Sequence, residues 1–205
     1  MKLAFAQEQA NRLLKYIAPA CERAEIGGGV LRLKPEPHDI EIICKPRIGK
    51  TRDMFGLEIG TASELDDVLA SLCAKGILSK NPDNVRPAQG PRYKKFQIID
   101  VEMENNEPQP LLDMFIVLPG FQEWGVIMTL RTGPDEFNKW LVRSRAENGL
   151  FPPGYKQEDG VVYKWQKNPR YGHFEWTRVP MPEEIDYLRF LGLPWIEPWD
   201  RVPRR

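Results

Sequence analysis

The sequence predicts an α+β chain with a mixed β-sheet and helices. Three observations carry that expectation. HDIEIIC at 38–44 alternates strictly, as a half-buried strand does. Residues 3–18 and 62–75 carry apolar side chains at helical spacing. After Pro119 the texture changes to an aromatic, Pro- and Gly-rich segment with short strand signals and two further helices. We place the boundary so that residues 1–127 form the larger domain and 128–205 a smaller lobe.

In order along the chain, Leu3, Ala6, Ala10, Leu13, Leu14 and Ile17 make the apolar stripe of a first helix, which Pro19 closes. A short apolar segment leads into Gly27, Gly28 and Gly29, and the alternating strand follows. ASELDDVLASLCAK at 62–75 is a helix, with Gly76 suited to its C-terminal cap. RYKKFQIIDVE and LLDMFIVLP are two further strands. DEFNKWLVRSRA opens with acids and closes with bases, as the helix dipole favours. Strand signals at 160–165 and 173–178 precede a last helix, PEEIDYLRFLG, and an extended tail.

The composition is that of a soluble globular protein, 41% hydrophobic and 28% charged over 205 residues. No apolar run reaches the roughly 18 to 20 residues a membrane span needs, and the N-terminus lacks the apolar core of a secretory signal. The 3 cysteines (Cys21, Cys44, Cys73) show no CxxC spacing, so neither a disulfide framework nor a zinc site is expected. A reducing, cytoplasmic setting follows, in a host cell if the source is viral. Formal net charge is +0, from 29 basic and 29 acidic side chains. A phosphate-rich partner would therefore meet local patches such as KPRIGKTR at 45–52 or the tail RVPRR, unless both are simply solvated.

Residues two apart on a strand share a face, so Asp39 and Glu41 project together while His38, Ile40 and Ile42 face the other way. Paired acids on an apolar strand repel and resist desolvation, which a divalent cation relieves. Asp113 is embedded in a second apolar run, PLLDMFIVLP. If the two strands are neighbours, three carboxylates could hold two Mg²⁺ (or Mn²⁺) ions, the clamp used for in-line phosphoryl transfer. The competing reading pairs these acids with Lys or Arg across the sheet. Asp100 is a rival third ligand. GGGVLR precedes the acidic strand, and its glycines suit either a close backbone approach to phosphate or a plain tight turn. Arg32 follows as a candidate partner for phosphate charge. His38 reads as structural, and Trp165, Trp176, Trp195 and Trp199 read as packing of the second lobe, with base stacking the lesser option.

Four segments in order carry a family resemblance. GGGVLRLKPEPHDIEI is similar to the G-S-x-x-R-x-x-K-P-x-x-x-D-I-E-I signature of family X DNA polymerases and the polymerase beta-like nucleotidyltransferases. LLDMFIV resembles that family's strand bearing the third metal-binding Asp. RTGPDEFNKWL resembles its T-G-x-x-x-F-N nucleotide-binding turn and helix. PMPEEIDYLRFLGLPWIEPWDR resembles its C-terminal ending, so the likeness spans roughly residues 3–201.

The resemblance implies a compact, phage- or virus-like member with a nucleotidyltransferase palm over 1–127 and a nucleotide-binding, thumb-like lobe over 128–205. It implies metal ligation and catalysis by Asp39, Glu41 and Asp113. Nucleotide contacts would come from Gly28, Gly29, Arg32, Thr132, Gly133, Asp135 and Asn138. Nucleic-acid contacts would come from Lys94, Lys95 and Lys139, each of which also reads as a solvated edge or helix face. The implied partners are a DNA primer–template or gapped DNA and a dNTP, NTP being possible in its place, with no membrane; the chain would act as a monomer.

Three departures stand out. The family's Ser is Gly29, the aromatic pair that often precedes T-G is Leu130–Arg131, and no lyase or helix-hairpin-helix region precedes residue 3. Lyase activity is accordingly not expected. The function expected is two-metal addition of nucleotides to a 3′-hydroxyl in gap filling or repair. Transfer to RNA, protein or a small molecule, or a catalytically weak nucleic-acid-binding accessory role, are the alternatives.

Overall fold

Leu3–Ile17 form α1 because its apolar residues recur three and four apart; Ala6, Ala10, Leu13 and Ile17 are all completely buried. Pro19 diverts the chain into a short 3₁₀ turn, and β1 (Cys21–Ile26) follows. In this computed structural model the described residues are 1–52, 54–55, 57–80, 86, 88–103, 108–118, 120 and 123–202, without the side chains of 51, 52 and 58–61. The chain divides into two units, Met1–Pro119 and Gly120–Arg205.

In the first unit a helical turn, α2 (Gly28–Leu31), connects β1 to β2 (Asp39–Pro46). A hairpin of β3 (Ile48–Arg52) and β4 (Glu58–Ser63) leads into α3 (Glu64–Ala74). Glu64, Asp66 and Asp67 crowd the first turn of α3, where the dipole favours acids. Gly76, at φ +70, ends it in the left-handed conformation that glycine adopts without penalty. β5 (Leu78–Ser79), β6 (Tyr93–Ile98) and β7 (Leu111–Ile116) complete a five-stranded sheet of order β1-β2-β7-β6-β5. Only the central β2–β7 pair is parallel, which makes the sheet mixed.

Alternation sorts the sheet's two faces. Ile40, Ile42 and Cys44 of β2, Leu112, Met114 and Ile116 of β7, and Phe96 and Ile98 of β6 join one buried cluster with the apolar stripes of α1 and α3. The opposite face carries the polar and acidic positions.

The second unit begins with α4 (Trp124–Thr132) and α5 (Asp135–Val142). An antiparallel sheet of β8 (Tyr155–Glu158), β9 (Val161–Lys167) and β10 (Phe174–Val179) follows, in the order β10-β9-β8, and α6 (Glu184–Phe190) ends it. Val126, Phe137, Leu141, Val162, Tyr187 and Leu188 form its core. Arg201, fully buried, donates to Glu184 Oε1 at 2.8 Å and lies 5.7 Å from the Trp195 ring centre. The ion pair ties the PEEI segment to the WDR segment near the chain's end.

The expected boundary at 127/128 falls inside α4 and is corrected to 119/120. WGVIMTL looks like core by composition, but as a helix it buries Val126 in the second unit's cluster. No helix among the described residues is long and apolar enough to cross a membrane.

Candidate active site

The α2 turn and strands β2, β7 and β6 bring three of the expected acids together. In the parallel β2–β7 ladder, Glu41 is the register partner of Asp113, and Asp39 that of Leu111. Residues 39, 41, 111 and 113 therefore share one sheet face, opposite the helix-packed side. Asp39 and Glu41 are half-buried and Asp113 is 8% exposed.

The sheet also supplies a cation. Lys95 of β6 is the register partner of Asp113 on its other side, with Nζ 2.9 Å from Asp113 Oδ1. The ammonium of Lys95 and the hydroxyl of Tyr93 both act on the Asp113 carboxylate, so this buried acid has protein partners. Tyr93, two residues earlier on the same face, stacks on Phe115 with ring centres 5.2 Å apart.

The acids perturb one another. Burial, then repulsion from Asp39, pushes Glu41 up to about 7, partly offset by Arg32 and by a Gly29 backbone N–H that donates to its carboxylate. Asp39 is raised by burial and by Asp113, with Lys95 and His38 opposing. Glu41 is folded back onto the glycine turn. Gly28 sits at φ +59, and a Cβ there would fall 1.2 Å from Glu41 Oε2. This position excludes every side chain, on conformational and on steric grounds. Gly29 is looser: a Cβ would meet Pro37 Cβ at 3.4 Å, an ordinary contact.

The donor set, three carboxylates on adjacent strands, is chemically that of a hard divalent cation. Among the described residues no group of three or more His, Cys, Asp or Glu side chains is placed so that it could hold a metal ion; Lys95 pairs with Asp113, and Glu41 accepts from the Gly29 N–H.

Several other expected site residues are differently employed. Lys94 points to the helix side of the sheet, 3.2 Å from Asp66 Oδ1 of α3, so neither it nor Lys95 forms a solvated edge. Lys95, expected at a nucleic acid, is placed beside Asp113. The rival acid Asp100 accepts two bonds from Arg12 and lies beyond the end of β6. His38 is exposed at the entry to β2 rather than packed.

Within the second unit, Thr132 is completely buried and its hydroxyl faces Met128 Sδ at 3.8 Å, because α4 continues through it. The residue expected to line the sugar side is thus placed inside the second unit. Asn138 Nδ2 donates to Leu130 O at 2.7 Å and to Gly133 O at 2.8 Å, clamping the α4–α5 turn, while its Oδ1 is buried and unpartnered. Gly133 is buried against this amide, and a Cβ on it would lie 2.2 Å from Asn138 Oδ1. The TG and N of this segment thus belong to one packed turn. Asp135 is exposed in the first turn of α5. Lys139 is exposed and pairs with Glu136 at 2.7 Å, an ordinary helix-face contact.

Of the two basic stretches, Lys45 pairs with Glu22 at 2.7 Å and Arg47 donates to Pro19 O at 3.0 Å. Residues 203–205 of the tail lie outside the described residues.

At Asp113 the competing expectation, an ion pair with Lys or Arg across the sheet, is met by Lys95; that it is this lysine, with Tyr93 beside it, is what sequence reasoning missed. A polar–polar alternation, Y-K-K, on an otherwise apolar strand was the available signal. No protein-family model matches the chain, and no curated protein matches it.

Proposed function

We propose that this protein is a metal-dependent nucleotidyltransferase that adds nucleotides to the 3′-hydroxyl of a nucleic acid, with Asp39, Glu41 and Asp113 as its acids. The observation that carries the reading is the parallel register of Glu41 and Asp113, with Asp39 on the same face. Three carboxylates share that face with Lys95, a poor balance for a purely structural cluster. Apolar residues would stabilise that face better if it had no ligand to hold.

On this reading Asp39, Glu41 and Asp113 would hold Mg²⁺, which supplies charge neutralisation and a lowered pKa for the attacking hydroxyl. Asp113, on the central strand, would lie nearest the attacking 3′-hydroxyl and take its proton as the 3′-oxygen bonds to the α-phosphorus and pyrophosphate leaves. Gly28 and Gly29 would leave room for a triphosphate once Glu41 turns from the glycine turn, and Arg32 would neutralise phosphate charge. The family X resemblance of the four sequence segments supports a palm-type assignment and a DNA primer as acceptor.

The test is a panel of labelled single-stranded, primed and gapped DNA and RNA substrates with Mg²⁺ or Mn²⁺ and each dNTP or NTP. Extension by one or more nucleotides, with pyrophosphate released in equal amount, is the expected result. No extension of any primer would reject the reading in favour of another acceptor or an accessory role.

A further inference from the structure

Two of the tryptophans expected to pack the second unit, Trp165 and Trp176, are instead exposed. Trp165, Phe174 and Trp176 are 47, 57 and 42% exposed, and they lie on one face of the β8–β10 sheet. Register fixes this arrangement. Trp165 pairs with Trp176, Lys167 with Phe174, Tyr163 with Arg178, and Lys156 with Tyr163 from the other side. The inner face carries Val162, Tyr155 and Val179 into the core. Trp165 is the hinge of a ring strip, its centre 5.2 Å from that of Trp176 and 6.0 Å from that of Phe174.

Cations are interleaved with these rings. Lys156 Nζ lies 5.2 Å from the centres of both Tyr163 and Trp176. On this face of the three strands Lys156, Lys167 and Arg178 stand against one acid, Glu158, which Lys156 binds at 2.8 Å. Arg178 is held by the buried Glu123. The surplus positive charge therefore gathers toward the β9–β10 turn, with Lys167 and with Arg170, which lies over the exposed Tyr171 ring.

We propose that this face binds single-stranded nucleic acid, its bases stacking on Trp165, Phe174 and Trp176 and its phosphates meeting Lys167 and Arg170. Open π-faces beside cations match the two features every single strand presents, unpaired bases and a phosphate chain. A duplex hides its base faces, and a purely apolar partner would desolvate the charges of Lys167 and Arg170. The choice of partner rests on the nucleic-acid reading of the proposed function, whereas the binding requires neither metal nor catalysis.

The experiment titrates a fluorescein-labelled 16-nucleotide oligo(dT) with the full chain in EDTA, following anisotropy and tryptophan emission. Binding should quench the tryptophans. Trp165→Ala and Trp176→Ala should each weaken it roughly tenfold, and Trp176→Phe should retain most of the affinity. Lys167→Ala should lower the slope of log affinity against log salt by roughly 0.7. Circular dichroism should be unchanged, since the rings are exposed. Equal affinity in the alanine variants, unquenched tryptophans or equally tight binding of blunt duplex would overturn the proposal. So would micromolar self-association that the alanine variants abolish while oligo(dT) binding is unchanged. Tight, ring-dependent binding without primer extension would reject the proposed catalysis alone; extension with ring-independent binding would reject this surface alone.

Discussion

Lys95 Nζ lies 2.9 Å from Asp113 Oδ1, and Glu41 is register partner to Asp113 from the opposite strand. The central carboxylate of the site is thus flanked by a cation on one side and a repelling acid on the other. Without a divalent ion, Lys95 is the nearest positive charge that the sheet itself offers Asp113.

Removing that cation should be costly only while the site is metal-free. Lys95→Met leaves Asp113 buried without a counter-charge, a loss of about 3 kcal/mol by analogy with broken buried pairs. Urea unfolding in EDTA should show it, and added Mg²⁺ should restore much of it. An unchanged midpoint in EDTA would show that the pair contributes nothing.

The raised Glu41 sets a pH dependence with a definite sign. Its folded value of about 7 exceeds the ordinary glutamate value of 4.5, so the folded state binds the extra proton between them. Stability in EDTA should therefore be greatest below about pH 4.5 as far as this group is concerned, and should fall as pH rises toward 7. Asp39, also raised, adds in the same direction. Thermal melts from pH 5 to 8 read this directly, and saturating Mg²⁺ should flatten the decline. A midpoint that rises with pH in EDTA would contradict the arrangement.

The two glycines of α2 should separate cleanly. Gly28→Ala forces a Cβ into the Glu41 carboxylate from a left-handed backbone, so stability should drop by about 1 to 2 kcal/mol and activity should be lost. Gly29→Ser meets only an ordinary contact with Pro37 and adds the hydroxyl of the family pattern. Its melting temperature should stay near that of the wild type and its KM for nucleotide should fall. A KM unchanged by the serine would show that a backbone N–H already suffices.

In the second unit, Glu184→Gln strands the fully buried Arg201 guanidinium. Unfolding of this unit should become easier by roughly 3 to 5 kcal/mol. Followed by tryptophan fluorescence, the transition should shift to lower denaturant. No shift would mean that Ile196 O and the Trp195 ring alone satisfy Arg201.

What the sequence made legible follows from how local each signal is. Asp39 and Glu41 on one face need only the period of a strand, and β2 has it. The glycine that ends α3 and the stripe of α1 are likewise local. Asp113 beside Glu41 required knowing that strands about seventy residues apart pair in parallel, which no local pattern encodes; its place in an apolar run marked it only on the condition that the two strands are neighbours. Lys95 opposite Asp113 depends on a register set by the whole sheet, so it read only as a basic surface residue. β3 and β4 were missed because IGKTR is polar and charged, without apolar alternation. The exposed Trp165 and Trp176 contradict the hydrophobic-inside rule, since the inner positions of β9 and β10 are taken by Val162 and Val179. Thr132 looked like a loop residue before Gly-Pro, but α4 runs through it.

The central claim is that Asp113 acts in nucleotidyl transfer, and one comparison tests it most directly. Wild type and Asp113→Asn are each given a 3′-recessed primer, dNTPs and Mg²⁺, and single-turnover extension rates are measured. The account predicts primer extension by the wild type, a rate lower by roughly a hundredfold or more in the variant, and an intact fold in both. Extension by the variant at the wild-type rate would contradict it.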